Sequence, residues 1–101
     1  MESKYSVVYE GTEVKVALEG RLDAANAPGL ADELKKLVGK KISRILFDSK
    51  NLEYISSAGV RVIIFAKQKL GLESEVFFSG ASAEIANVIK MSGLDNYIKL
   101  L

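Results

Sequence analysis

The chain has 101 residues, 49% apolar and 27% charged, with 14 basic and 13 acidic side chains and a net charge of +1. That composition describes one soluble domain whose core needs neither metal nor crosslink. Cysteine and histidine are absent, which excludes disulfides, thiolate chemistry, the commonest general base and the commonest metal ligand.

The charges are interspersed without a basic block, so no nucleic-acid partner is expected. The opening "MESKYSVVYEG" lacks the apolar stretch of a secretion signal. The longest apolar run, Val62 to Ala66, is far short of the about 20 residues that cross a bilayer. A cytoplasmic protein without membrane insertion and without a cofactor is expected.

In chain order, residues 5–9 and 13–19 read as strands joined by a turn at Glu10, Gly11 and Thr12. Val14, Val16 and Leu18 alternate with Lys15, Ala17 and Glu19, so one face of this hairpin is buried. Ala27, Leu30, Leu34, Leu37 and Val38 then recur at helical spacing. They predict a helix over 26–38 with Pro28 in its first turn and Gly39 as its stop.

Residues 42–48 read as a central strand followed by a loop over 49–54. A nearly surrounded helix is expected over 58–70, with Val60, Ile63, Ile64, Lys67 and Leu70 on one stripe and Gly71 as its stop. Residues 74–79 predict another strand. Ser82 caps a helix carrying Ile85, Val88 and Ile89 to Gly93, and "NYIKLL" closes the chain as a short strand. The order β-β-α-β-α-β-α-β argues an α/β fold: a mixed, mostly parallel sheet with an N-terminal hairpin and covering helices. Function in such sheets gathers where strands end and helices begin. Residues 20–26 and 48–59 are such places.

Ser56 and Ser57 stand at the second of these. A nucleophile elbow needs Gly-x-Ser-x-Gly, but position 55 is Ile, and no histidine exists to take the serine proton. A phosphoaspartate receiver built on Asp48 would need further carboxylates for a metal ion, and Glu10 and Asp23 supply too few. No enzyme is expected. One of the two serines caps the 58–70 helix. A phosphate placed there would meet unpaired backbone N–H groups and the positive end of the helix dipole. Asp23 reads as a cap of the 26–38 helix or as a contact for a partner's basic residue. Asp48 reads as a loop organiser that accepts N–H groups from a 49–53 turn.

Three blocks together resemble the STAS domain, and specifically the small bacterial anti-sigma factor antagonists. "LEGRLDAANAPGL" is similar to the Gly-x-Leu-Asp segment that leads into the family's first helix. "ILFDSKNLEYISSAGVRVI" resembles its strand, loop and Asp-Ser-Ser/Thr-Gly-Leu signature. "ASAEIANVIKMSGLDNYI" resembles its closing helix. The resemblance implies a partner switch without catalysis. The unmodified form binds an anti-sigma factor that is also a serine kinase with a GHKL-type ATP site, which frees a sigma factor. Phosphorylation ends the binding, and a PP2C-type phosphatase resets it.

The signature glycine matches Gly59, which makes Ser57 the acceptor, with Ser56 as the alternative. Asp23, Asn26, Ser56, Ser57, Ala58, Gly59, Val60 and Arg61 are the expected partner-binding set. Here Ser56 replaces the family's aspartate, Ala58 follows the acceptor, and Arg61 replaces a small residue. The alternative function is a STAS interaction module that is not phosphorylated, within a sensory scaffold or transport complex.

Overall fold

The N-terminal hairpin forms where the alternation places it. In the computed structural model, which describes residues 4–71 and 73–101, β1 (Lys4–Glu10) pairs antiparallel with β2 (Glu13–Leu22). Residues 1–3, part of the stretch read against a secretion signal, and residue 72 lie outside the described residues. Glu10 and Glu13 close the hairpin across Gly11 and Thr12. The second strand outruns its expected end at Glu19 because Gly20 absorbs a register irregularity at φ +69°, where a side chain would be strained.

After β2 come α1 (Ala27–Lys35), β3 (Arg44–Ile55), α2 (Ser57–Lys69), β4 (Glu75–Ser79) and α3 (Ala83–Met91). A single 3-10 turn over Leu94–Asn96 then leads to the two-residue β5 (Lys99–Leu100). The sheet is five-stranded in the order β1-β2-β3-β4-β5, and every pairing after the hairpin is parallel. The expected mixed, mostly parallel α/β sheet is therefore what forms. Because the strands advance in one direction and parallel crossovers are right-handed, the helices gather on one face. Burial records this: Val14, Ile45 and Val76 pair across three strands and are buried, as are Val16, Phe47 and Phe78. Glu13, Lys15, Arg44 and Glu75, at alternate positions, are exposed on the open face.

Leu30 and Leu34 of α1, Ile63 and Ala66 of α2, and Ile85 and Ile89 of α3 complete the core over the Phe47–Phe78 pair, whose ring centres are 6.2 Å apart. Each of these buried leucine, isoleucine and phenylalanine side chains contributes about 1.5–3 kcal/mol.

Three expectations need correction. The loop expected over 49–54 is strand, because β3 continues to Ile55 through two register shifts against β2. The first helix stops at Lys35 and its remainder tightens into turns, Leu37 N–H to the Leu34 carbonyl and Val38 N–H to that of Lys35. Val38 is thereby rotated out of the core and is 54% exposed. The α2 helix is not nearly surrounded but open along one face, where Ser57, Arg61, Gln68 and Lys69 are exposed, while half-buried Lys67 donates to the carbonyls of Gly71 and Ser74 beyond the helix end.

Candidate functional site

β2 and β3 end side by side, with Leu22 opposite Ile55. The chain then turns at Ser56, whose backbone N–H donates to the Leu22 carbonyl at 2.9 Å. Ser56 keeps an extended conformation, and its Oγ accepts from the Ala58 N–H at 3.2 Å, so it is the N-cap of α2. Of the two serines left open as caps, Ser56 takes the role. Ser57 is the first helical residue and is exposed, with its hydroxyl not spent on the cap.

Gly59 explains how closely α2 seats itself. A Cβ on it would lie 2.8 Å from the Leu22 carbonyl oxygen and 2.8 Å from Ile55 Cγ1. The glycine is required here for close approach of helix to strand ends. Gly59 and Val60 are both buried, Val60 at 7% exposure, so they support the surface and do not form it. Ala58 is half-buried, and Arg61, one turn beyond Ser57 on the same helix face, is exposed.

The neighbouring turn, residues 23–26, is tied to the end of β2 by its own side chains. Asn26 Oδ1 accepts from the Asp23 N–H at 2.8 Å, and Asn26 Nδ2 donates to the Arg21 carbonyl at 2.6 Å. The Asp23 carboxylate accepts from the Ala25 N–H at 3.1 Å and lies 3.4 Å from Arg21 Nε. Asp23 is therefore not the side-chain cap expected of it. Asn26 is the N-cap of α1 and makes no side-chain cap bond, while the Asp23 backbone carbonyl accepts from Ala27 at 2.8 Å.

Asp48 is corrected too. It lies inside β3, well before the Ser57 end, and its carboxylate accepts from the Lys50 N–H at 3.2 Å beside the first register shift. It organises a strand irregularity, and no turn exists over 49–53. The other expected residues gather at one corner, where Ser57, Arg61, Asp23 and the polar 23–26 turn follow the ends of β2 and β3. Sequence reasoning missed two residues there. The Arg21 guanidinium sits 4.2 Å from the centre of the Tyr54 ring, and both side chains are largely exposed. Their pairing follows from the shifted register, which no local pattern in the sequence announces.

Among the described residues, no group of three His, Cys, Asp or Glu is placed to hold a metal ion. No helix among them is long and apolar enough to cross a membrane. The corner offers a hydroxyl, a guanidinium, a carboxylate and a helix N-terminus on a firm base, which suits recognition of a partner surface.

The profile of the STAS domain matches residues 5–101. The chain belongs to the STAS-domain family. Among relatives, it is 36% identical over 77 residues to BtrV of Bordetella bronchiseptica, which is named as a candidate anti-sigma factor antagonist. That match takes in 75% of this STAS chain and 66% of BtrV, just under two thirds of the relative's length. Among solved structures, an anti-sigma factor antagonist from Mycobacterium paratuberculosis superposes with a TM-score of 0.84 at 21% identity, over 98% of this chain and 85% of that one. The Bacillus cell fate determinant SpoIIAA in its phosphorylated form gives 0.76 at 16% identity, over 97% and 91%. These two likenesses place the STAS fold.

Proposed function

We propose that this STAS domain is an anti-sigma factor antagonist whose binding is switched off by phosphorylation of Ser57. The carrying observation is the division of labour at the mouth of α2: Ser56 makes the cap, and Ser57 stands exposed beside it. A phosphate on Ser57 adds about −1.5 to −2 charge next to unpaired N–H groups and the positive helix end, so the host fold tolerates it. The same charge inside a closely packed interface costs about 2–5 kcal/mol, a roughly thirty-fold or larger loss of affinity.

In this reading the unmodified corner docks on an anti-sigma factor that is also a GHKL-type serine kinase, with Arg61, Asp23 and Arg21 supplying charged contacts. The partner releases its sigma factor, then uses ATP to mark Ser57, and a PP2C-type phosphatase removes the mark. The domain acts as a regulator and not as a catalyst. Two likenesses support the reading: the name borne by BtrV, and SpoIIAA, which is solved in both phosphorylated and unphosphorylated forms.

The test is incubation with the cognate anti-sigma kinase and ATP. One phosphate is expected, mapped by mass spectrometry to Ser57. Ser57→Ala should bind the kinase and stay unlabelled, and Ser57→Asp should bind about thirty-fold more weakly. Labelling of Ser57→Ala at the parent's rate overturns the assignment.

A further inference from the structure

The two edges of the sheet are built differently. β5 is two residues long, too short to template another strand. β1 is seven residues long and pairs with β2 from Lys4↔Glu19 to Glu10↔Glu13 without a bulge. It contains no proline, and its charged residues stand only at its ends. Proteins usually blunt an edge with bulges, prolines or inward charges, and β1 carries none of these.

The hairpin register fixes which backbone groups are on offer. With Glu10 and Glu13 closing the turn, residues 10, 8, 6 and 4 direct their N–H and C=O groups toward β2. Tyr5, Val7 and Tyr9 therefore direct theirs outward, and among the described residues no hydrogen bond takes up these groups. Tyr9 is already held in place, its hydroxyl donating to the Lys41 carbonyl at 2.8 Å, so part of the ordering cost is met before any association.

We propose that β1 is a self-association edge, and that its occupant is β1 of a second copy of this chain, running antiparallel and extending the sheet across a two-fold axis at Val7. This register sets Val7 against the second copy's Val7 and Tyr5 against its Tyr9, each pair joining outward-facing groups. This alignment pairs all seven residues of the strand, and sliding by two residues cuts the ladder to five, so the strand matches itself best in this one register. Val8, on the open face at 47% exposure, lies opposite the second copy's Ser6 and diagonal to its Val8, and that diagonal pair gains apolar cover.

Sedimentation equilibrium through the millimolar range tests this. The apparent mass should climb from the 11.0 kDa of one chain toward twice that value. Val7→Pro removes an outward N–H without breaking a hairpin bond, since proline is tolerated on the open side of an edge strand. It should keep the parent's circular dichroism and weaken association about tenfold or more. Val8→Glu serves where the proline disturbs folding. Inside the hairpin it stands opposite Lys15, so it should fold, yet across the seam it brings two carboxylates diagonally together. It should associate more weakly than the parent, and high salt should lessen the loss. A chain that stays at 11.0 kDa throughout, or variants that associate as strongly as the parent, overturns the proposal.

Discussion

The Ser56 backbone N–H reaches the Leu22 carbonyl at 2.9 Å, which locks the residue that caps α2 to the last residue of β2. Two crossovers distant in sequence thus share one joint. The start of α2 and the 23–26 turn are thereby joined through the backbone at the ends of β2 and β3.

Gly59→Ala tests that joint. Alanine is the better helix former by about 1 kcal/mol, so an open site would gain stability. Here the new methyl would meet the Leu22 carbonyl and Ile55 at 2.8 Å. The carbonyl is backbone and already accepts from Ser56, so it has no room to yield. Overpacking of this kind costs about 1–3 kcal/mol and outweighs the helix gain. Urea unfolding should show a net loss of stability, and unchanged or raised stability would mean that α2 is not seated as described.

The two serines should separate cleanly in the same measurement. Ser56→Ala removes the cap bond to the Ala58 N–H and should cost about 1 kcal/mol. Ser57→Ala removes an exposed hydroxyl that is not the cap and should stay within about 0.5 kcal/mol of the parent. In partner binding the ranking differs: the unphosphorylated Ser57→Ala form should bind as the parent does. Equal destabilisation by both substitutions would remove the division of labour on which the switch rests.

Arg61 is expected to act after modification. It lies one helical turn beyond Ser57, exposed on the same face, so a phosphate at residue 57 acquires an opposite charge at the favoured spacing. Such pairs contribute about 0.3–0.5 kcal/mol at an exposed site. Phosphorylated protein should therefore melt no lower than the unmodified form. Arg61→Ala should lower the melting temperature of the phosphorylated form more than that of the unmodified one, and the difference should shrink in high salt.

Much of this was legible because the hairpin, the helices and the order of strands carry strong periodicity. The signature around Ser57 also pointed to the right turn, since Ser-Ser-Ala-Gly at a strand end combines a cap with a glycine for close packing. The failure at 49–54 has a definite cause. Two register shifts break the alternation of β3, so Ser49, Leu52 and Ile55 are buried with two exposed residues between each. A run with that spacing reads as loop. Ser49 looks like a loop former, yet it is fully buried and donates to the Ser79 carbonyl at 2.7 Å on the adjacent strand. Such a bond joins residues far apart in sequence and leaves no local trace. The Arg21–Tyr54 stack was hidden for the same reason, because its partners meet only after both shifts.

Asn26 offers the most specific test of the loop. Its amide uses both ends, accepting from the Asp23 N–H at 2.8 Å and donating to the Arg21 carbonyl at 2.6 Å. Asn26→Asp keeps the shape and the acceptor but loses the donor, so an anionic oxygen faces the Arg21 carbonyl and the nearby Asp23 carboxylate. The variant should be less stable than the parent at neutral pH by about 1–2 kcal/mol. Its sign with pH follows directly. The folded state disfavours the charged form of the new carboxyl, which raises its pKa above the ordinary unfolded aspartate value near 3.9. The penalty is present above that folded pKa and fades as pH falls through it, because the protonated acid regains a donor for the Arg21 carbonyl. Unfolding curves for parent and variant should therefore converge toward acid pH, and a gap that is constant or widens there would show that the Asn26 amide does not hold the loop through its donor.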